Sequence, residues 1–161
     1  EYKESEGEDL YRRGLYTFVR RTSPPPNMLT FDATSREVCT VKRDVTSTPL
    51  QALVLLNDPQ FFEASRIFAE RMIKSKDTLE DQIGHGFRLA TSRHPKDEEL
   101  EILVELYNSQ YQYFVKNRDK AYQVLSVGEK PRDVKINSVQ SAAMTMVANT
   151  LLNHNETYTK R

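Results

Sequence analysis

The chain has no tryptophan, one cysteine and no excess of either charge. A single cysteine, Cys39, excludes an internal disulfide, a C-x-x-C redox pair and a C-x-x-C-H haem attachment site within the chain. The 23 basic and 23 acidic side chains cancel, so the basic excess of most nucleic-acid-binding proteins is missing. No apolar run approaches the roughly 20 residues that a membrane-spanning helix requires. We therefore expect neither a nucleic-acid partner nor a membrane span.

The signals that are present are mainly signals of helix. Residues 46–62 read TSTPLQALVLLNDPQFF and contain two helix starts. Thr48 precedes Pro49, and Asp58 precedes Pro59, so each helix has a capping residue followed by proline in the first turn. The residues predicted to form the buried stripe of the first helix are Leu50, Leu53, Val54 and Leu56.

Further helices are predicted along the rest of the chain from apolar residues at helical spacing. They cover 59–74, 78–90, 97–116 and 119–125, and a final helix starts at Ser138 as its cap. The predicted inward-facing residues include Phe61, Ala64, Phe68 and Met72 in the first of these, and Leu79, Ile83, Phe87 and Ala90 in the second.

The N-terminal third has weaker patterning. Residues 1–9 are an acidic lead-in, and residues 10–21 favour a helix, although Gly14 also allows an extended segment. Residues 22–47 form a long loop with enough apolar side chains to pack. We therefore predict an all-α fold, a compact array of six or seven helices with one long packed loop near the N-terminus. Residues 1–161 are expected to be a single helical domain, and a fragment of a larger multidomain protein.

One candidate ligand-binding group lies in the long loop, where Asp32, Arg36 and Arg43 stand close in sequence. Arginine side chains can bind an anion through two parallel hydrogen bonds. Since Glu37 and Asp44 balance the arginines locally, internal ion pairs that pin the loop are the favoured interpretation.

A second candidate group lies near the C-terminus, where Asn149, Asn153 and Glu156 are spaced i, i+4, i+7. A helix that reached Glu156 would align these side chains on one face, where they could bind a sugar, a metal or a partner backbone. Capping of the final helix is the favoured alternative, because amide side chains commonly end helices.

The remaining reactive side chains give no catalytic set. His85 lies one turn after Asp81, which could be a pair of metal ligands, but a solvated helix face explains the spacing and no metal site is predicted. Cys39 has no histidine nearby in sequence and is interpreted as a small buried hydrophobic residue.

Two pairs of arginines flank aromatic residues between Tyr11 and Arg21, reading YRRGLYTFVRR. This composition is like that of an RNA-binding surface, but the neutral total charge and the lack of any nucleic-acid-binding motif speak against that function.

The longest specific strings are DLYRRGLYTFVRRTSPPPNMLTFDATSREVC and TSTPLQALVLLNDPQFFEASRIFAERM, followed by FRLATSRHPKDEEL, VGEKPRD and VANTLLNHNET. Together they resemble the C-terminal part of the PSD family, a domain of unknown function in exported bacterial proteins that is associated with planctomycete cytochrome c domains. The resemblance implies a periplasmic, envelope or extracellular location. It implies no catalytic residue and no cofactor in this fragment, with haem c expected only in another domain. The implied partners are other domains of the same polypeptide and extracellular carbohydrate.

These observations favour a non-catalytic accessory or scaffold module of a large exported protein. The alternative is part of an enzyme that acts on extracellular polysaccharide. In that case the site is expected between the 27–47 loop and the face that carries Asn149, Asn153 and Glu156.

Overall fold

The computed structural model describes residues 6–20, 22–34, 38–42 and 45–159. These residues form eight α-helices and two short 3₁₀ helices, and none of them lies in a β-strand. The helices are α1 (Pro26–Thr30), α2 (Pro49–Asn57), α3 (Pro59–Ser75), α4 (Leu79–Thr91), α5 (Asp97–Lys116), α6 (Arg118–Leu125), α7 (Ser138–Leu152) and α8 (Asn155–Tyr158). The predicted all-α fold is confirmed. The helix count exceeds six or seven because α1 and α8 are too short to produce a periodic pattern.

Polar side chains start the helices, mostly as the sequence predicts. At the start of α2, Thr48 Oγ1 accepts a hydrogen bond from Gln51 N at 3.3 Å, and Gln51 Oε1 accepts one from Thr48 N at 3.0 Å. Asp58 caps α3 by accepting from Gln60 N at 2.9 Å. Ser138 was expected to cap α7, but Asn137 does so, because its side chain accepts from Val139 N at 2.9 Å.

The chain divides into two compact units, Glu1–Val54 and Leu55–Arg161. In the first unit, the helix predicted for residues 10–21 is wrong over its described part. Short 3₁₀ helices cover Gly7–Tyr11 and Gly14–Tyr16, and extended backbone separates them. Gly14 and the β-branched and aromatic residues around it disfavour a continuous α-helix. Helix α1 also starts at Pro26, inside the segment predicted to be a loop.

The buried face of α2 differs from the predicted stripe. Leu50 and Leu53 are 57% and 55% exposed, and Leu56 is also exposed, whereas Gln51 and Leu55 are buried. Gln51 Nε2 donates to Thr30 O at 2.9 Å and to Thr46 Oγ1 at 3.0 Å. A buried amide must keep its hydrogen bonds. The side of α2 that carries Gln51 therefore faces the interior, and the side that carries Leu50, Leu53 and Leu56 faces outward.

The second unit is organised around α7, which packs against α3, α4, α5, α6 and α8. Ten of its residues are buried, on all sides of the helix, as expected for a helix that runs through a core. Many of them are small, including Ala142, Ala143 and Ala148, which lets the neighbouring helices approach closely.

The predicted stripe of α4 is confirmed, with Ile83 and Phe87 buried and Leu79 and Ala90 partly buried. On α3 the prediction is partly wrong, because Ala64 is exposed and the buried face carries Glu63 and Arg66 beside Ala69 and Met72. None of the described helices combines the length and apolarity needed to cross a membrane.

Candidate functional site

Asp32 is the one loop candidate that the structure describes, and its side chain binds Thr46 near the other end of the loop. Its carboxylate accepts from Thr46 N at 2.9 Å and from Thr46 Oγ1 at 2.8 Å. Gln51 Nε2 lies 3.5 Å from the same carboxylate. Asp32 has a φ of 57°, a left-handed conformation that Asp tolerates better than most residues. The residue therefore ends α1 and joins the two ends of the segment that follows.

Arg36 and Arg43 lie outside the described residues, so their suggested role in anion binding stays a prediction. Cys39 is exposed, so its interpretation as a buried hydrophobic residue is wrong. It lies in residues 38–42, which form no helix and are exposed throughout, so this segment does not bury the thiol.

Glu156, the carboxylate of the C-terminal candidates, is held by Arg93. Arg93 Nε donates to Glu156 Oε2 at 2.8 Å, while Nη1 and Nη2 donate to the two oxygens of Glu99 at 2.8 and 2.7 Å. The Arg93 guanidinium carbon lies 4.8 Å from the ring centroid of Phe87. One arginine thus ties the segment after α4 to the start of α5 and to α8.

The ionisation of this cluster follows from its hydrogen bonds. The two bonds from Arg93, with one from Lys96 N at 2.8 Å, lower the pKa of Glu99 to about 2. Hydrogen bonds to Glu99 and then Glu156 raise the pKa of Arg93 above its usual value. A carboxylate that stays ionised and a guanidinium that stays charged are suited to holding helices together, and neither is poised to exchange a proton at neutral pH.

The helix that would align the C-terminal candidates does not reach Glu156. Helix α7 ends at Leu152, Asn153 is its C-cap, and Glu156 lies on α8. Asn149 is only 3% exposed, and its Nδ2 makes no hydrogen bond with the described residues. The same holds for the buried Oδ1 of Asn153. A donor and an acceptor one helical turn apart are therefore the buried side-chain atoms of this group that lack a hydrogen bond within the described chain.

A second charged cluster, on α3, binds the backbone of residues 128–133. Glu63 Oε2 accepts from Lys130 N at 3.3 Å and also from Glu129 N, and the fully buried Arg66 donates to Lys130 O. One turn further, Glu70 Oε1 accepts from Asp133 N at 3.1 Å. These side chains serve the backbone of a loop in place of water.

The same cluster ends with an ion pair on the surface. Lys74 Nζ lies 2.6 Å from Asp133 Oδ2, and this hydrogen bond lowers the pKa of Asp133 and raises that of Lys74. Gly128 has a φ of 91°, and a Cβ at this position would collide with the side chain of Glu63. The loop therefore approaches α3 closely only because residue 128 is glycine.

His85 and His94 line a surface groove of about 360 Å³ together with Asp81 and Arg88. Asp81 accepts from the hydroxyl of Thr78 at 2.7 Å, which is the cap of α4. No group of three or more His, Cys, Asp or Glu residues in the described chain is arranged to hold a metal ion. Asp81 therefore serves the start of α4, where its backbone N–H also donates to Thr78 Oγ1 at 3.2 Å.

The predictions from sequence missed both charged clusters. Arg93 was interpreted only as part of the break before the 97–116 helix, and no role was predicted for Glu63 or Arg66. A signal for the first was present in Glu99, three residues after Lys96, the position from which a glutamate reaches back to the start of its helix. Glu70, four residues after Arg66, is one partner that helical spacing could have indicated. No sequence signal identifies the other, because it is the backbone carbonyl of Lys130, 64 residues away.

Comparison with known proteins gives one family. The family model of PSD1, described as a protein of unknown function (DUF1553), matches residues 1–107. The strings VGEKPRD and VANTLLNHNET lie beyond the matched residues. No curated protein and no solved structure matches the chain.

Proposed function

The chain belongs to the PSD1 family, whose function is unknown, and from that premise we propose that it is a non-catalytic accessory or scaffold module. The observation that carries the proposal is the binding of Glu156 by Arg93 at 2.8 Å. The carboxylate that an enzyme site would need is bound to an arginine that also holds Glu99. Both charged clusters of the second unit join parts of the chain, which is what a rigid module for assembly requires.

The setting of this module is part of the proposal and rests on the resemblance of its strings to exported bacterial proteins. We place it in the periplasm, the cell envelope or outside the cell, within a larger polypeptide that also carries a cytochrome c domain. Its partners are then the other domains of that polypeptide, and haem c belongs to one of those domains.

A second candidate function is supported by the amide pair on α7. Asn149 Nδ2 and Asn153 Oδ1 are buried and unpaired within the described chain, and a sugar hydroxyl can both accept from an amide N–H and donate to an amide oxygen. A site for extracellular polysaccharide that used these two atoms would require the end of α7 to open, since both atoms are buried. The scaffold role is favoured because the carboxylate of this group is engaged elsewhere.

The scaffold proposal is tested by mixing the purified chain with the other domains of its parent polypeptide, produced separately. Size-exclusion chromatography with light scattering should show a complex of defined stoichiometry. Two proteins that elute independently at tens of micromolar would contradict the accessory role.

The polysaccharide alternative is tested on the same sample. Oligosaccharides should neither raise the melting temperature nor be cleaved, as measured by the release of reducing ends. Stabilisation that depends on oligosaccharide concentration and is lost in Asn149→Ala would favour the second candidate, because only a ligand that prefers the native state stabilises it. Thr150→Ala, at an exposed neighbouring position of α7, is the matched control.

A further inference from the structure

The first unit contains an apolar cleft of about 430 Å³. Its walls come from the 3₁₀ helix Gly14–Tyr16, from Val19, and from α1 with its flanking residues. The lining includes Leu15, Val19, Pro24, Met28, Leu29 and Phe31. Pockets that bind ligands typically have volumes of about 300–1,000 Å³ and are lined mainly by apolar side chains, so this cleft can take one or two large apolar side chains.

Residues 14–19, three of which line the cleft, expose side chains of the kind that dominate protein interfaces. Leu15 is 78% exposed, Tyr16 67% and Phe18 79%. Tyrosine, phenylalanine, methionine and arginine are enriched at the centre of protein–protein interfaces, and buried aromatic and arginine residues contribute most of the binding energy there. A run of exposed apolar residues beside a cleft indicates an interaction surface.

Arginine is the only charged residue type between residues 10 and 31, the segment that provides most of the lining of the cleft. Residues 10–31 contain four arginines and no acidic residue, within a chain whose net charge is zero. Arg12 pairs with Asp9 at 2.9 Å, whereas Arg13 and Arg20 are exposed and make no ion pair with the described residues. Arg13 directly precedes and Arg20 directly follows residues 14–19, which include the lining residues Gly14, Leu15 and Val19. The acidic residue Asp32 lies between the lining residues Phe31 and Ala33, and its carboxylate accepts hydrogen bonds from Thr46.

We propose that this cleft is a docking site for an acidic peptide segment of a partner protein, with one or two large apolar side chains inserted between Arg13 and Arg20. Apolar anchors fill the cleft, and flanking carboxylates bind the two guanidinium groups, for which arginine geometry is well suited. This proposal rests on the accessory role above and names the chemistry of the partner.

A peptide fits these features better than a single-stranded nucleic acid does. Proteins that bind single strands stack bases on aromatic rings along a basic groove. Here aliphatic side chains and prolines form most of the cleft, and Tyr16 and Phe18 are not among its lining residues. The concave surface therefore selects an aliphatic or aromatic side chain, and the rim selects carboxylates.

The experiment selects a random 12-residue peptide library on the purified chain. Enriched peptides should be acidic with one or two large apolar residues, and their affinity should fall at least tenfold in Arg13→Glu/Arg20→Glu and in Leu15→Ser/Leu29→Ser. All four residues are exposed, so both variants should keep the wild-type melting temperature. Arg71→Glu/Arg118→Glu, an equal charge change at exposed positions of α3 and α6, should bind as the wild type does.

Three results of the peptide selection would overturn the proposal. They are the absence of enriched peptides, enriched peptides without acidic character, and binding that survives in both cleft variants. Self-association or oligothymidylate binding that is lost in Arg13→Glu/Arg20→Glu would assign the surface to another occupant. The other domains of the polypeptide could still form a complex with the Arg13→Glu/Arg20→Glu variant. That result would support the accessory role and would show that the cleft does not contribute to it.

Discussion

Gly86 on α4 lies so close to Met72 on α3 that it has no room for a side chain. A Cβ added at Gly86 would lie 2.5 to 2.9 Å from the Cε, Sδ and Cγ atoms of Met72. Met72 is fully buried and has little freedom to move away. The packing of α3 on α4 therefore depends on glycine at this position.

The two glycines of α4 should respond in opposite directions to alanine. Gly86→Ala should destabilise the protein by about 1–3 kcal/mol, the usual cost of overpacking a core. Gly84→Ala should stabilise it by up to about 1 kcal/mol, because a Cβ there meets nothing within 4 Å and alanine favours a helix. Urea unfolding measures both values, and a stabilised Gly86→Ala variant would show that the packing at Met72 is looser than described.

The Arg93 cluster should make stability depend on pH in the acid range. Since the pKa of Glu99 is lowered to about 2 in the folded protein, its contribution is complete above about pH 4.5 and is lost as the pH falls toward 2. Glu99→Gln should lower the melting temperature at pH 6, and the difference from wild type should shrink as the pH falls. Glu98→Gln, at an exposed position of the same turn, is the control and should follow the wild-type curve.

Arg66 should be among the least replaceable residues of the second unit. Arg66→Met leaves Glu63 and Glu70 without the positive charge between them, and loss of one partner from a buried ionic group costs about 3–5 kcal/mol. The loop at residues 128–133 should also become sensitive to trypsin at Lys130 and Arg132 before global unfolding. Arg71→Met, at an exposed position of α3, should change neither property, and an equally stable, protease-resistant Arg66→Met would contradict the loop-binding role.

Asp32 should protect the backbone of Thr46. Asp32→Ala removes the acceptor of the Thr46 N–H and places alanine at a φ of 57°, so the amide of Thr46 should exchange its hydrogen at least tenfold faster. Asn also tolerates this φ, so the exchange rate of the Thr46 amide in Asp32→Asn should lie between the rates in the wild type and in Asp32→Ala. Hydrogen-exchange mass spectrometry measures the effect, and unchanged exchange in Asp32→Ala would show that another group holds this end of the loop.

The sequence predicts the helical class and most helix starts of this protein because those depend on local chemistry. Thr48, Asp58 and the stripe of Ile83 and Phe87 act within one or two turns of their own helix. The wrong face of α2 has a different origin, since Gln51 satisfies backbone and side-chain groups up to 21 residues away. The spacing of hydrophobic residues does not predict the burial of a polar residue whose hydrogen-bond partners are so distant in sequence.

The candidate site was predictable to a smaller extent for the same reason. The residue types and the spacing of Asn149, Asn153 and Glu156 were visible, but the partner of Glu156 is Arg93, 63 residues earlier in the chain. The helix that would have aligned the three residues ends at Leu152, and His154 then starts α8 by accepting from Glu156 N at 3.3 Å. The break between α7 and α8 therefore decides what Glu156 can contact.

The account depends most on Glu156 being a structural residue, and the stability of Glu156→Ala tests this directly. Residues kept for a ligand often leave stability unchanged or raise it when removed, whereas residues that join helices lower it. We expect the melting temperature of Glu156→Ala to fall by a few degrees in the wild-type background and to change little in an Arg93→Met background, because the partner is then already gone. A Glu156→Ala variant as stable as wild type, or more stable, would contradict the scaffold role. Glu156 would then again be a candidate ligand-binding residue.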